Sequence, residues 1–213
     1  MNFELKPFVT LAMPCETEQV VKKSRFICRL FPAEDAEQAG ALIEACKKQY
    51  WDASHNCSAY VLGMLGEYTR SSDDGEPQGT AGMPMLETLK GSGVTNIVAV
   101  VTRYFGGTLL GKGGLVRAYG SSVSLALETA QFTKHFPVSE YKIDLPFALW
   151  GKAEAQLRNN GFQLGDVAYT ACVSVQVFSD MGREQALVDI MQELSAGAVT
   201  PQFVVQRYLQ IEV

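Results

Sequence analysis

The segment "VTNIVAVVTRYF" contains an unbroken apolar run, Ile97 to Val101. A strand with one wet face alternates apolar and polar side chains, so such a run needs cover on both faces. The chain must therefore build a sheet with packing layers above and below this strand. The run passes into "GGTLLGKGGLVRAYG" and then into an alanine-rich stretch with helical periodicity. A buried strand thus turns through glycines into a long helix. Gly106, Gly111 and Lys112 match part of the phosphate-loop spacing G-x-x-x-x-G-K-[ST], but the next residue is Gly113. The hydroxyl that would hold Mg²⁺ is missing, so the glycines need another explanation.

Around this segment the first part of the chain reads as a mixed domain. "VVKKSRFICRLF" is rich in strand formers and stops at Pro32. "AEDAEQAGALIEACKKQY" places apolar residues at helical spacing, with acids in its first turn and Lys47 and Lys48 in its last, as the helix dipole prefers. "HNCSAYVLG" predicts a strand, Tyr68 to Gly79 a polar loop, and "GMPMLETLKGSG" a helix with Pro84 in its first turn. The helix after the glycines is predicted to run to Phe132, and "HFPVSE" is predicted to be the linker, because Pro137 disfavours continuing the helix. The domains expected are residues 1–136 and 137–213. In the second, the order β-α-β-β-α-β over "YKIDLPF", "ALWGKAEAQLRNN", "QLGDVAY", "ACVSVQVF", "DMGREQALVDIMQELS" and "VTPQFVVQRYL" is that of a ferredoxin-like domain. The fold class is α+β.

Composition narrows the function classes. The formal net charge is −5. Residues 1–136 hold 13 basic and 14 acidic residues and residues 137–213 hold 5 and 9, giving −1 and −4. Any polyanion site is therefore a local patch on the first part. Five cysteines without a C-x-x-C pair argue against a disulfide framework or a structural zinc site. The first fifteen residues lack the pattern of a secretory signal, and no apolar run is long enough to cross a bilayer. A cytoplasmic protein without membrane association, cofactor or metal is expected.

Thirteen of the 19 glycines lie between Gly63 and Gly120. The same region holds "SSDDGEPQGTAG", with Asp73, Asp74 and Glu76 inside four residues. Those acids either bind Mg²⁺ or do acid/base work, or they shape a turn and pair with Arg103 or Arg117. Arg103, ending a buried strand, either forms an internal ion pair or offers its fork to an anion. Gly106, Gly107, Lys112, Gly113 and Arg117 lie where a helix N-terminus attracts anions. "KKSR", with Lys22, Lys23 and Arg25, adds to a basic surface or is a wet strand edge. Tyr104, Phe105 and Tyr119 either stack on bases or fill the core. His55 is a structural group or a functional one, and Cys57, two residues on, is only nominally a nucleophile beside a base. The two glycine-rich loops are expected to build one surface.

At "SDDGEPQGTAGMPML" and "VVTRYFGGTLLGKGGLVRAYG" the chain resembles the IMPACT family in its bacterial two-domain form, and "KKSRF" and "HNCSAYV" fit the same pattern. The resemblance covers nearly the whole chain. It implies an N-terminal domain like the second domain of a small-subunit ribosomal protein and a C-terminal domain like the last domain of an elongation factor. It also implies translation regulation or nucleic-acid binding, with a ribosome, RNA or translation factor as partner. The family pattern does not require lysine at Lys112. The activator-binding role of the eukaryotic relatives belongs with an extra domain that differs from anything in this sequence. An enzyme acting on a phosphorylated or nucleotide substrate, with Asp73, Asp74, Glu76 or His55 as its groups, is the alternative reading. Oligomeric state and catalytic residues are left open.

Overall fold

The structure, a computed structural model, describes residues 5–212. It forms two compact units, Pro7–His135 and Phe136–Leu209, with residues 210–212 counted with the first and 5–6 with the second. Among the described residues no helix is long and apolar enough to cross a membrane.

In the first unit the buried run becomes β6 (Ile97–Tyr104), the centre of an antiparallel sheet. Its neighbours are β3 (Ser24–Pro32) and β4 (His55–Leu62), flanked by the edge strands β2 (Cys15–Val21) and β5 (Tyr68–Ser72). Ile97, Ala99 and Val101 join the core formed with α2 (Gly82–Ser92) and α3 (Lys112–Thr129). Val98 and Val100 join a second cluster with Ala39 and Cys46 of α1 (Ala36–Gln49). Both faces of β6 are covered, as its sequence requires. Asp35 caps α1 by accepting from the Gln38 N–H at 2.8 Å.

Several boundaries differ from the sequence reading. "VVKKSRFICRLF" is not one strand: Val21 pairs with Ser24, and Lys22 and Lys23 form a two-residue turn with φ of 46° and 68°. Such hairpin turns favour Asn and Gly, so two lysines in the left-handed region conceal the turn. The predicted polar loop begins as β5, an exposed edge strand registered on β4 from Leu62↔Tyr68 to Ser58↔Ser72. It buries little, so no alternation marks it. α3 ends at Thr129 because Ala130 turns extended, and Phe132 already pairs with Leu11 of β1 (Phe8–Leu11).

The predicted linker lies inside a continuous strand, β7 (Phe132–Leu145). Pro137 falls between the residues registered on β1, 132–135, and those registered on β9 (Val173–Asp180), 138–145. It ends the helical tendency without ending the strand.

In the second unit β10 (Gln202–Glu212) pairs with β7, which pairs with β9, which pairs with β8 (Gln163–Tyr169). In chain order the four strands lie 4-1-3-2, with α4 (Phe147–Asn159) and α5 (Glu184–Ser195) as the crossings. The ferredoxin-like arrangement predicted from the element order is the one observed. Tyr141, Ile143 and Leu145 of β7 and Val173, Val175 and Val177 of β9 face Leu157, Leu187 and Met191 in one core.

Gly106, just past β6, packs against the backbone of Lys23, and a Cβ there would collide with the Lys23 carbonyl. Gly106→Ala should cost about 2–3 kcal/mol, within the range of overpacked buried sites. Urea denaturation measures the loss. Gly113 has nothing within 4 Å of an added Cβ, so Gly113→Ala should not share the penalty.

Candidate functional site

Three neighbouring strands set the site. Arg103 on β6 is registered between Phe26 on β3 and His55 on β4, so the three side chains share one sheet face. Arg103 Nη1 donates to Glu76 Oε1 at 2.6 Å, and its Nη2 donates to Ser24 Oγ at 3.3 Å. The Tyr119 hydroxyl, rising from α3, donates to the same Glu76 oxygen at 2.8 Å. The Arg103 and Glu76 side chains are only 7% and 3% exposed. The guanidinium also lies 5.5 Å from the Phe26 ring centroid and 5.6 Å from that of Phe105, while its Nε is buried without a hydrogen-bond partner. Of the two readings open for Arg103, the geometry shows the internal ion pair.

Burial governs the neighbouring titratable groups. Desolvation, reinforced by Cys57 and Glu76, holds the Tyr119 phenol far above its ordinary range, so it stays a donor. Desolvation likewise pushes the Cys57 thiol up to about 12, and its Sγ donates to the Asp73 carbonyl at 3.0 Å. Such a thiol supplies almost no thiolate near neutral pH. His55 Nδ1 lies 2.8 Å from the Asp74 carbonyl oxygen, and Nε2 lies 3.9 Å from Glu76 Oε2.

The acidic loop divides its work. Asp73 accepts from the backbone N–H groups of Gly79, Ala81 and Gly82 at 2.8, 3.0 and 2.9 Å, holding the first turn of α2. Asp74 accepts from the Asn56 N–H at 2.7 Å and meets Lys47 at 3.4 Å. Glu76 alone joins Arg103. Among the described residues no group of three or more His, Cys, Asp or Glu side chains could hold a metal ion.

The glycine loop closes the other side. Gly106 N–H donates to Ser24 Oγ at 3.2 Å, which ties the loop to the lysine turn. Gly111, at φ 73°, precedes α3 and offers no capping side chain. Between this loop and Glu76 lies a cleft of ≈480 Å³, lined by His55, Glu76, Arg103, Phe105, Leu109 and Lys112 among others. Gly113 adjoins Lys112 on the first turn of α3, and Gly107 takes φ 79° in the loop.

Arg117 is exposed one turn further along α3 and is not among the cleft's lining residues. β2 runs beside α3: Cys15 reaches the Ala126 carbonyl and Gln19 the Ala118 carbonyl. The turn that follows β2 places the Lys23 backbone against Gly106 of the glycine loop. Lys22, Lys23, Lys112 and Arg117 are exposed and have no ion pair among the described residues, whereas Arg25 pairs with Glu18 at 2.7 Å. Sequence reasoning missed Ser24 as a partner and Leu109, Leu110 and Leu115 as cleft walls. Only Leu115 had a signal, its four-residue spacing from Tyr119 on α3.

Residues 22–127 match the family model of the Impact N-terminal domain. The chain is 41% identical over 199 residues to the IMPACT family member YvyE of Bacillus subtilis (strain 168), covering 91% of this chain and 89% of that one. The chain belongs to the IMPACT family. It is also 42% identical over 161 residues to the IMPACT family member YigZ of Escherichia coli (strain K12), covering 71% and 79% of the two chains. A crystal structure of a hypothetical protein is similar at a TM-score of 0.60 and 34% identity, over 95% of this chain and 99% of that one. In this IMPACT protein the matched segment begins at the lysine turn and ends in α3, so Ser24, His55, Glu76, Arg103 and Tyr119 all lie within it.

Burial opposes ionisation of Asp73, but the three N–H donors outweigh it and hold its carboxyl below the usual range. A depressed carboxylate contributes stability above its unfolded pKa of ~3.9 and loses it as pH falls through the lower folded value. Asp73→Ala should therefore cost about 1–2 kcal/mol at pH 7, the scale of a lost helix cap. The difference from wild type should shrink below about pH 4, where the unfolded carboxyl begins to take up its proton. Denaturant unfolding of both proteins across pH checks this.

Proposed function

We propose that this IMPACT protein is a translation regulator that binds RNA, ribosomal RNA included, through the surface formed by the lysine turn, the glycine loop and the start of α3. One observation carries the reading: Lys22, Lys23, Lys112 and Arg117 are exposed without an acidic partner among the described residues, in a protein whose net charge is −5. The Lys23 backbone packs against the glycine loop that leads to Lys112, and unpaired cations on such a surface supply the local positive field that phosphate-backbone contacts require. The uncapped start of α3 adds backbone N–H groups of the same polarity. Arg103, held by Glu76, supports this surface from beneath and is not one of its phosphate contacts.

The enzyme reading draws less support. Asp73 and Asp74 are engaged by backbone N–H groups, and Cys57 is held as a thiol. Among the described residues lining the cleft, that leaves His55, Glu76 and Lys112 as groups able to exchange a proton, with Glu76 already held by Arg103.

Ribosome co-sedimentation at low and moderate salt tests the proposal, comparing wild type with Lys22→Glu/Lys112→Glu/Arg117→Glu. All three positions are exposed, so the variant should fold, as circular dichroism would verify. Wild-type binding should weaken steeply with salt. The variant should bind at least about tenfold more weakly, with a log–log salt slope reduced by about 3. Unchanged binding by the variant would remove this surface from the interaction. Binding of a translation factor with no RNA or ribosome binding would replace the proposed partner.

A further inference from the structure

The cleft beside the cationic surface has a polarity that a phosphate backbone alone would not use. We propose that it admits one unpaired nucleotide, with an amino-bearing base edge at the Glu76 carboxylate and the phosphate at the start of α3. This deepens the RNA-binding reading and rests on it for the strand from which the nucleotide would come.

The floor asks for a hydrogen-bond donor. Glu76 Oε1 already accepts from Arg103 and Tyr119, but Oε2 accepts no hydrogen bond among the described residues, on a side chain only 3% exposed. His55 Nδ1 faces the Asp74 carbonyl, which can only accept, so Nδ1 is the donor to it. Nε2 lies 3.9 Å from Glu76 Oε2, close enough to sense a group bound there. A carboxylate oxygen with unused lone pairs at the base of a cleft favours N–H or O–H groups.

The walls ask for a flat apolar body. Phe105, Leu109, Leu110 and Leu115 line a space of ≈480 Å³. Phe105 is 49% and Leu109 82% exposed, so both have apolar surface left to cover. A base offers such a body, and every base has a π-face for an aromatic ring.

The rim asks for an anion. Gly111 supplies no side-chain cap to α3, so the N–H groups of the first turn lack an intrahelical acceptor. The Lys112 ammonium stands beside them without an ion pair among the described residues. Donor edge, flat body and anion in that order describe a nucleotide whose base carries an exocyclic amine. Adenine, cytosine and guanine do; uracil turns a carbonyl acceptor toward the same place and would face the lone pairs of Glu76.

The test uses the full chain labelled with ¹⁵N-histidine, titrated with AMP, CMP, GMP and UMP and with six-nucleotide strands of A, C or U. The protein has only two histidines, so His135 serves as the internal reference. The His55 Nε2 resonance should shift with the amine-bearing nucleotides and strands, which should bind about tenfold more tightly than their uracil counterparts, the scale of one good base-edge contact. Leu109→Glu, a change at an exposed rim, should weaken all of them at least about tenfold while the protein stays folded. Glu76→Gln should erase the preference against uracil; if it fails to fold, Leu109→Glu still decides occupancy.

Shifts from mononucleotides without strand binding would keep the cleft as a free-nucleotide site and sink the RNA reading. Strand or ribosome binding with an unmoved His55 resonance would sink the cleft proposal and leave the RNA reading standing. Equal binding of UMP and CMP would overturn the readout by Glu76.

Discussion

Arg103 sits in a place that is costly for a charge, and the organisation of the first unit follows from how that charge is satisfied. Moving a guanidinium out of water costs several kcal/mol unless a counter-ion and donors are correctly placed. Glu76 provides the counter-ion at 2.6 Å, Ser24 accepts from the other end of the fork, and Tyr119 steadies the shared carboxylate oxygen. These partners come from β3, the β5–α2 loop and α3. Their common dependence on one cation ties separate parts of the chain into one arrangement. Removing either charge would strand the other, a penalty of about 3–5 kcal/mol in buried pairs.

The acidic loop and the glycine loop are complementary supports for that pair. Asp73 and Asp74 anchor the acidic loop by taking backbone N–H groups from α2 and β4, which brings Glu76 to Arg103. Gly106 lets the other loop lie against the backbone of the lysine turn, and Gly111 allows the left-handed residue from which α3 starts. The glycines that resemble a phosphate loop are thus accounted for by close packing and backbone conformation. Their by-product is an uncapped helix start with Lys112 beside it. Anion attraction at this surface is therefore a consequence of how the strand is turned into the helix.

Much of the fold was legible because it rests on patterns that burial imposes locally. The apolar run of β6 required cover on both faces, and α1 and the α2–α3 layer supply it. The element order of the second unit carried its topology. What escaped notice was held by backbone pairing or by distant contacts. β5 is nearly all exposed, the hairpin at Lys22–Lys23 lacks the usual turn residues, and β7 passes through Pro137. In the site, Arg103 stood out as a charge on a buried strand. Choosing Glu76 over Asp73 and Asp74 as its partner required knowing which carboxylates the backbone had already engaged.

By itself, the sequence determined the α+β class, the buried central strand, the glycine turn into a long helix, the ferredoxin-like order and the family. Each depends on composition or periodicity within a short stretch, or on motifs written contiguously. Only the tertiary structure decided that Arg103 is an internal ion pair, that Asp73 and Asp74 are structural, and that Lys22 and Lys23 form a turn lying against the glycine loop. It also made the cleft, whose floor, walls and rim come from residues between His55 and Leu115. The reason is physical: a side chain's role depends on which donors, acceptors and apolar surfaces reach it through space, and separation along the chain does not encode those distances.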